Sequence, residues 1–339
     1  MKKTSIVRLA ALGTLGTLSL AATAQSSVTL WGTVDANVRY SDANGQNTTR
    51  LGTDGKDSST VGLRGWEDLG GGLKAGFWLE HRFNPDDGSI NSSGRQWHGR
   101  SSISLAGNFG ELRLGRFTTP SYDNYLDYDA FNGNGVGAVT TLHSDLGSKV
   151  ETMSRTDNTV AYYMPTTQGG FFGNVSMAAG EGADGKKYAG ARLGWSQGAA
   201  KVSASYGETN TLNSKYKQTS IGGSYDFGVV KTMASVSENK FQDLKQNIYT
   251  IGAHMPVSAH GTIRASYAMV DGNAAAENAM YGDSKQLTLG YLYDMSKRTA
   301  LYSSVSHMTN TKASLATGDL AVLPGGSSTA LEMGIVHRF

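Results

Sequence analysis

Fixed charge is the chemistry this chain offers most plainly. A segment of about forty residues, 118–157, carries Asp123, Asp127, Asp129, Asp145 and Glu151, with no Lys or Arg before Lys149. A loop that long inside a compact fold is usually functional or disordered. Basic residues cluster on flanking segments: Arg39, Arg64, Lys74, Arg82, Arg100, Arg116 and Arg155. Rows of fixed charge across a water-filled slot sort ions. The plainer alternative is a solvated acidic loop, with arginines paired to Glu67, Glu80 or Glu111. Covalent and metal chemistry find less. There is no cysteine, hence no thiolate ligand or nucleophile and no disulfide framework. No His-Glu-x-x-His, Gly-x-Ser-x-Gly or phosphate-loop motif occurs. The seven histidines (His81, His98, His143, His254, His260, His307 and His337) are scattered; His254 and His260 flank a turn without two further metal ligands, and His81 and His337 have apolar-face parity without a serine to pair with. The glycines of 133–137 read as turn chemistry, since 125–131 is expected to be loop and no helix is expected to follow. Neither an enzyme nor a cofactor or metal site is expected.

Strands must position those charges. In the last nine residues Leu331, Met333, Ile335 and Phe339 share one face, while Glu332, Gly334 and Arg338 share the other. Period two recurs where Val28, Leu30, Val34, Val38 and Tyr40 alternate with Thr29, Thr33, Asp35, Asn37 and Arg39. It recurs again where Leu287, Leu289, Tyr291 and Tyr293 alternate with Gln286, Thr288 and Asp294. Segments of this kind number about sixteen, an even count of the sort transmembrane barrels have. Short connections at 68–72, 107–110, 165–170, 197–199, 226–228, 256–261 and 294–298 alternate with longer polar loops at 42–58, 84–99, 118–157, 180–186, 207–216, 238–245, 271–283 and 308–327. Short turns on one rim and long loops on the other are the asymmetry of an outer-membrane barrel with an apolar face toward lipid and a polar face toward water. The fold expected is all-β: a transmembrane antiparallel β-barrel of sixteen strands in which residues 28–40 close against 331–339, with Phe339 serving closure and assembly.

Composition agrees. The 339 residues hold 44 glycines but only 5 prolines, which favours many tight turns over disordered low complexity. Lys2, Lys3 and Arg8 precede an apolar stretch and Ala22-Thr23-Ala24, the layout of a secretory signal peptide, so 1–24 is expected to be cleaved and 25–339 to form the barrel. Removing the three charges takes the formal net charge from +2 to about −1, leaving no electrostatic support for a nucleic-acid partner. Beyond that segment no run of eighteen apolar residues suggests a helical membrane span.

With the strands placed, the chain resembles the Gram-negative general-diffusion porins, in particular their sixteen-stranded trimeric β-proteobacterial branch. The resemblance is carried by Gln25-Ser26-Ser27-Val28-Thr29-Leu30-Trp31-Gly32, by Arg64-Gly65-Trp66-Glu67-Asp68-Leu69-Gly70-Gly71-Gly72-Leu73-Lys74, by Gly107-Asn108-Phe109-Gly110-Glu111-Leu112-Arg113-Leu114-Gly115-Arg116, by Ser296-Lys297-Arg298-Thr299-Ala300-Leu301-Tyr302 and by Phe339, in matching order along the whole chain. It implies that the third long loop folds into the lumen and carries Asp123, Asp127 and Asp129 to the narrowest cross-section. Arg64, Arg100 and Arg155 match the family's basic wall, and Arg39, Lys74, Arg82 and Arg116 are further lumen charges. Thr60 and Gly99 stand where strongly anion-selective relatives carry more arginines, so a modest anion preference is expected. The resemblance also implies a homotrimer in the Gram-negative outer membrane, in contact with its lipid and lipopolysaccharide. Function then reads as passive diffusion of inorganic ions and small hydrophilic solutes. The alternatives are a substrate-specific uptake channel, for which a ladder of lumen aromatics including Trp31, Trp66 and Trp78 would be the signature, and a non-conducting adhesin or structural barrel. The sequons at Asn47 and Asn91 carry no meaning for glycosylation in a bacterium.

Overall fold

The computed structural model describes residues 27–91, 94–165 and 169–339; the segment 1–24, expected to be a signal peptide, lies outside them. Seventeen strands form one closed antiparallel sheet, β1 (Ser27–Ala43), β2 (Gln46–Gly52), β3 (Thr60–Gly70), β4 (Leu73–Arg82), β5 (Arg100–Gly107), β6 (Gly110–Thr118), β7 (Arg155–Tyr163), β8 (Phe171–Ala178), β9 (Lys187–Gln197), β10 (Ala200–Asn210), β11 (Lys215–Asp226), β12 (Lys231–Phe241), β13 (Leu244–Pro256), β14 (Gly261–Gly272), β15 (Tyr281–Asp294), β16 (Thr299–Ala313) and β17 (Ser327–Arg338). They make sixteen staves, because β2 and β3 both pair with β1. The half of β1 from Asn37 to Ala43 meets β2, and the half from Ser27 to Thr33 meets β3. The second stave is broken by residues 53–59. The cylinder closes where β1 pairs with β17, from Thr33 opposite Arg338 to Ala43 opposite Ser328. Gly32 and Phe339 exchange backbone hydrogen bonds of 3.1 and 3.0 Å, so the last residue completes the seam. Hydrocarbon offers no partner for a bare sheet edge, which is why the seam must exist.

Alternation along each strand is inverted relative to a soluble protein. On β15 Ser284, Gln286 and Thr288 are buried while Leu287, Leu289 and Tyr291 are exposed; on β17 Glu332 is fully buried while Leu331, Met333 and Ile335 are exposed. Apolar side chains face out and polar ones face in, as a barrel in lipid requires.

Several expected loops are shorter than the apolar pattern implies, among them three that the strands invade most. Residues 207–216 contract to four between β10 and β11, and 238–245 contract to Gln242 and Asp243 between β12 and β13. Within 42–58, β1 continues to Ala43, turns at Asn44-Gly45 with φ of 55° and 74°, and returns as β2. Asn-Gly is the favoured two-residue hairpin turn. The common reason is that the outward apolar pattern stops where a strand leaves hydrocarbon, whereas the hydrogen-bond ladder does not. The expected loop at 125–131 also begins helical: α1 (Pro120–Asp127) starts at Thr119, whose side chain accepts from Tyr122 N, with proline in the first turn.

Candidate pore constriction

The segment between β6 and β7 lies against the inner face of the wall, and its side chains explain why. On α1, Asn124 donates to Ser220 Oγ at 2.7 Å and accepts from Ser203 Oγ at 2.6 Å and Arg192 Nε at 3.0 Å. Tyr128 OH meets Ser203 Oγ at 2.6 Å. Further along, Val136 N donates to Glu332 at 3.1 Å, and Val136 O accepts from Gln286 at 3.0 Å and Thr317 at 2.8 Å. His254 Nε2 lies 2.7 Å from Ala130 O. Val139 and Leu142 pack with Ile248, Ala268, Val270 and Met308 from the wall, and Tyr128, Ala130 and Phe131 pack with Met233. The partners come from every strand from β9 to β17 through inward-facing side chains, and at Thr317 from the loop between β16 and β17.

The three loop acids have three different surroundings. Asp127 is in ion-pair contact with Arg192 and lies 2.6 Å from Lys201. Asp129 is buried and accepts from the amides of Phe131, Gly133 and Val139 at 2.8, 2.9 and 3.0 Å, so it shapes the loop's own turn. Desolvation pushes its carboxyl up to about 6 against the pull of those amides. Asp123 is half-buried on α1; desolvation raises its carboxyl, opposed by Thr118 and by the guanidiniums of Arg192, Arg113 and Arg155. Asp129 therefore does not present its charge to the slot, because its own turn encloses it.

On the opposite wall, Arg64 lies over the rings of Trp78 and Trp31 at 5.0 and 5.8 Å, and Arg100 over Trp78 at 4.7 Å. The indoles themselves meet edge-on at 5.2 Å. A guanidinium over an indole is held by about 0.5–1 kcal/mol at an exposed site. Arg155 donates from Nε to Gly99 O at 2.9 Å. Among the described residues, none of these three arginines forms an ion pair with a carboxylate. The other basic residues singled out from the sequence differ. Arg39 pairs with Glu332 at 2.9 Å and Asp319 at 3.2 Å, and Arg82 with Glu80 at 3.1 Å. Lys74 is exposed beside the short turn, opposite Asp68 in the ladder. Arg116 corrects the expectation of a lumen charge: it sits opposite Ser101, in step with the outward Leu112 and Leu114, and pairs with Asp157 at 2.7 Å. A parity count along β6 separates it from inward Glu111 and Arg113.

Between wall and loop lies a cavity of about 350 Å³ lined by Arg82, Arg155, Glu80 and Thr60 on one side and Tyr122, Leu126, Asn132, Gly133 and Asn134 on the other. Thr60, where an arginine was absent from the sequence pattern, faces this slot directly. Arg64 and Arg100 lie along the ladder toward the short-turn rim, through Arg64 opposite Trp78 and Arg100 opposite Glu80. The arginines thus form a descending row instead of one ring. Reading from the sequence missed Arg113, Arg192 and Lys201. Their inward parity was visible, but their importance depends on the loop that meets them. Arg113 pairs with Glu111 at 2.9 Å and stacks over Tyr163 at 4.0 Å.

A family model described as Gram-negative porin matches residues 9–313. Outer membrane porin protein 32 of Delftia acidovorans is 38% identical over the full length of both chains, and an outer membrane porin protein of Bordetella pertussis is 30% identical, again over both full lengths. Among solved structures, an anion-selective porin from Comamonas acidovorans superposes with a TM-score of 0.84 at 36% identity, over 93% of this chain and all of that one.

Proposed function

Because this chain belongs to the Gram-negative porin family, we propose that its sieve is mildly anion-preferring, with Arg64, Arg100 and Arg155 as the basic wall and Asp123 and Asp127 as the opposing loop charges. The protein is an outer-membrane general-diffusion channel for ions and small hydrophilic solutes, and not an enzyme. The observation that carries the anion preference is the imbalance of pairing. Three wall guanidiniums lack a carboxylate among the described residues, while Asp127 is neutralised by Arg192 and Lys201 and Asp129 is enclosed by its own turn's amides. In a slot with little water between facing charges, uncompensated cations set the local potential, and the chain's net charge does not. That the similar Comamonas acidovorans protein is an anion-selective porin supports this reading. Trp31 and Trp78 meet edge-on as a pair instead of laddering along the pore, which favours a general sieve over a substrate-specific channel. The same proposal includes cleavage of residues 1–24, a homotrimer seated among lipid and lipopolysaccharide, and Phe339 as an assembly determinant. Planar-bilayer recordings test the function. Linear conductance with a reversal potential on the anion side of a salt gradient is expected, and a cation-side potential would refute the assignment of the wall.

A further inference from the structure

The break in the second stave is ordered, and its order comes from one buried carboxylate. Asp35, on the inward face of β1 and fully buried, accepts from the amides of Gly55, Lys56 and Asp57 at 3.2, 2.9 and 3.0 Å and from Tyr302 OH at 2.5 Å. Asp54 accepts from Ser59 N at 2.9 Å and from Asn91 at 3.1 Å. A Cβ on Gly55 would run into the Tyr302 ring, so the segment is pressed against the inner wall at β16. It also reaches the long loop: Gly135 N donates to Asp54 O at 2.7 Å, and Ser58 Oγ approaches Asn134 Oδ1 at 3.4 Å. Two cavities meet at that contact. Ser58, Arg82, Gly133 and Asn134 line both the slot of about 350 Å³ and a neighbouring cavity of about 370 Å³. Asp57 turns toward the slot and is shared there between Arg338, whose Nε donates at 3.0 Å, and Lys56, whose Nζ lies 3.4 Å away.

We propose that residues 53–59 are a second restriction element, the jaw that meets the tip of the long loop, and that Asp57 sets the strength of selectivity by masking Arg338. A continuous strand would leave this side of the lumen open, so the break narrows the path where the two cavities join. Beside the slot Asp57 thus offsets one of two cations, Arg338 and Lys56. Removing the acid leaves the guanidinium and the Lys56 ammonium uncompensated before passing ions, and removing the guanidinium leaves the carboxylate balanced by Lys56 alone. The inference rests on the conducting-pore reading above. It deepens that reading by naming a specificity-determining residue outside the arginine row.

The absence of native cysteine permits a direct test. In Ser58→Cys channels, a water-soluble charged thiosulfonate reagent should reduce single-channel current stepwise, by about half or more for a group added at the narrowest section. Separately, Asp57→Asn should raise the anion-to-cation permeability ratio by about two-fold, Arg338→Gln should lower it, and the double variant should return near the parent value. Current untouched by the reagent, or ratios unchanged in both single variants, overturns the proposal. The cysteine arm does not disturb Asp35 or its amides, so it remains informative if a charge variant assembles poorly. A parent protein without conductance would instead overturn the channel reading itself.

Discussion

The two halves of the inner wall treat their polar side chains in opposite ways. From β9 to β17 the inward residues Arg192, Lys201, Ser203, Ser220, Gln286 and Glu332 are engaged in holding the long loop. From β3 to β7 the inward Arg64, Arg100 and Arg155 rest on indoles or on a backbone carbonyl and meet no carboxylate among the described residues. Nearly the same residue types therefore anchor the loop on one side and stay without a carboxylate partner on the other. The difference lies in what the loop covers. Charged residues in a pore divide into those that hold the shape and those that set the field, and pairing tells them apart.

Opening the cylinder would erase the contrast altogether. Deleting Phe339 removes both backbone bonds to Gly32 at the seam, and assembled, heat-modifiable protein in the outer membrane is expected to fall by about ten-fold or more. Undiminished assembly of the truncated chain would show that the seam holds without its last residue. The next largest effect comes from the bare wall. With Arg64, Arg100 and Arg155 all replaced by Gln, the reversal potential should cross from the anion to the cation side, because Asp123 then lacks the wall charges opposite it. An unmoved potential would take these arginines out of the selectivity-determining row.

The anchored half should respond differently. Asp127→Asn unmasks Arg192 and Lys201, so anion preference should rise while the loop loses a tie. The expected signature is a shifted reversal potential accompanied by noisier open-channel current, since a hydrogen-bonded charge contact contributes about 1.5–3 kcal/mol. A shift without added noise would mean that Asp127 contributes field but no anchorage.

Two loop groups, one half-buried and one buried, should give the smallest effect, through opposed titrations. His143 stacks on Tyr125 with ring centroids 3.9 Å apart, and desolvation pushes it down to about 4. An unfolded histidine protonates near 6.5, so its contribution to loop packing is present at neutral pH and is lost as pH falls from about 6.5 to 4. Asp129 is pushed up to about 6 from an ordinary value of 3.8, so its burial becomes less unfavourable as pH falls through that window. The parent loop should change little between pH 6.5 and 4. His143→Gln should tighten on acidification and Asp129→Asn should loosen, read by hydrogen exchange of the loop amides corrected for intrinsic rates. Parallel behaviour of the two variants would refute the opposed assignment.

Much of this architecture was legible in one dimension. Period-two alternation in 28–40 and 331–339 defines the outward face, the spacing of turns gives sixteen staves, and inward parity identifies Arg64 and Arg100. Asn44-Gly45 and Thr119-Pro120 were local signals for a hairpin and a helix start that the apolar pattern overshadowed. Hydrophobic alternation reports only the stretch of strand in hydrocarbon, so it overlooked the water-exposed extensions and the returning strand β2. It also had no means of showing that stave two breaks at 53–59, because the break is held by Asp35 and Tyr302, separated by 267 positions in the chain. The identity of each acid was fixed by sequence, whereas its role was fixed by what folded against it: Asp127 met Arg192 and Lys201, Asp129 met its own amides, and Asp57 met Arg338. Strand periodicity is a short-range property of the backbone and is written locally. Charge compensation depends on distances between segments that only closure of the barrel brings together, and it therefore belongs to the tertiary structure.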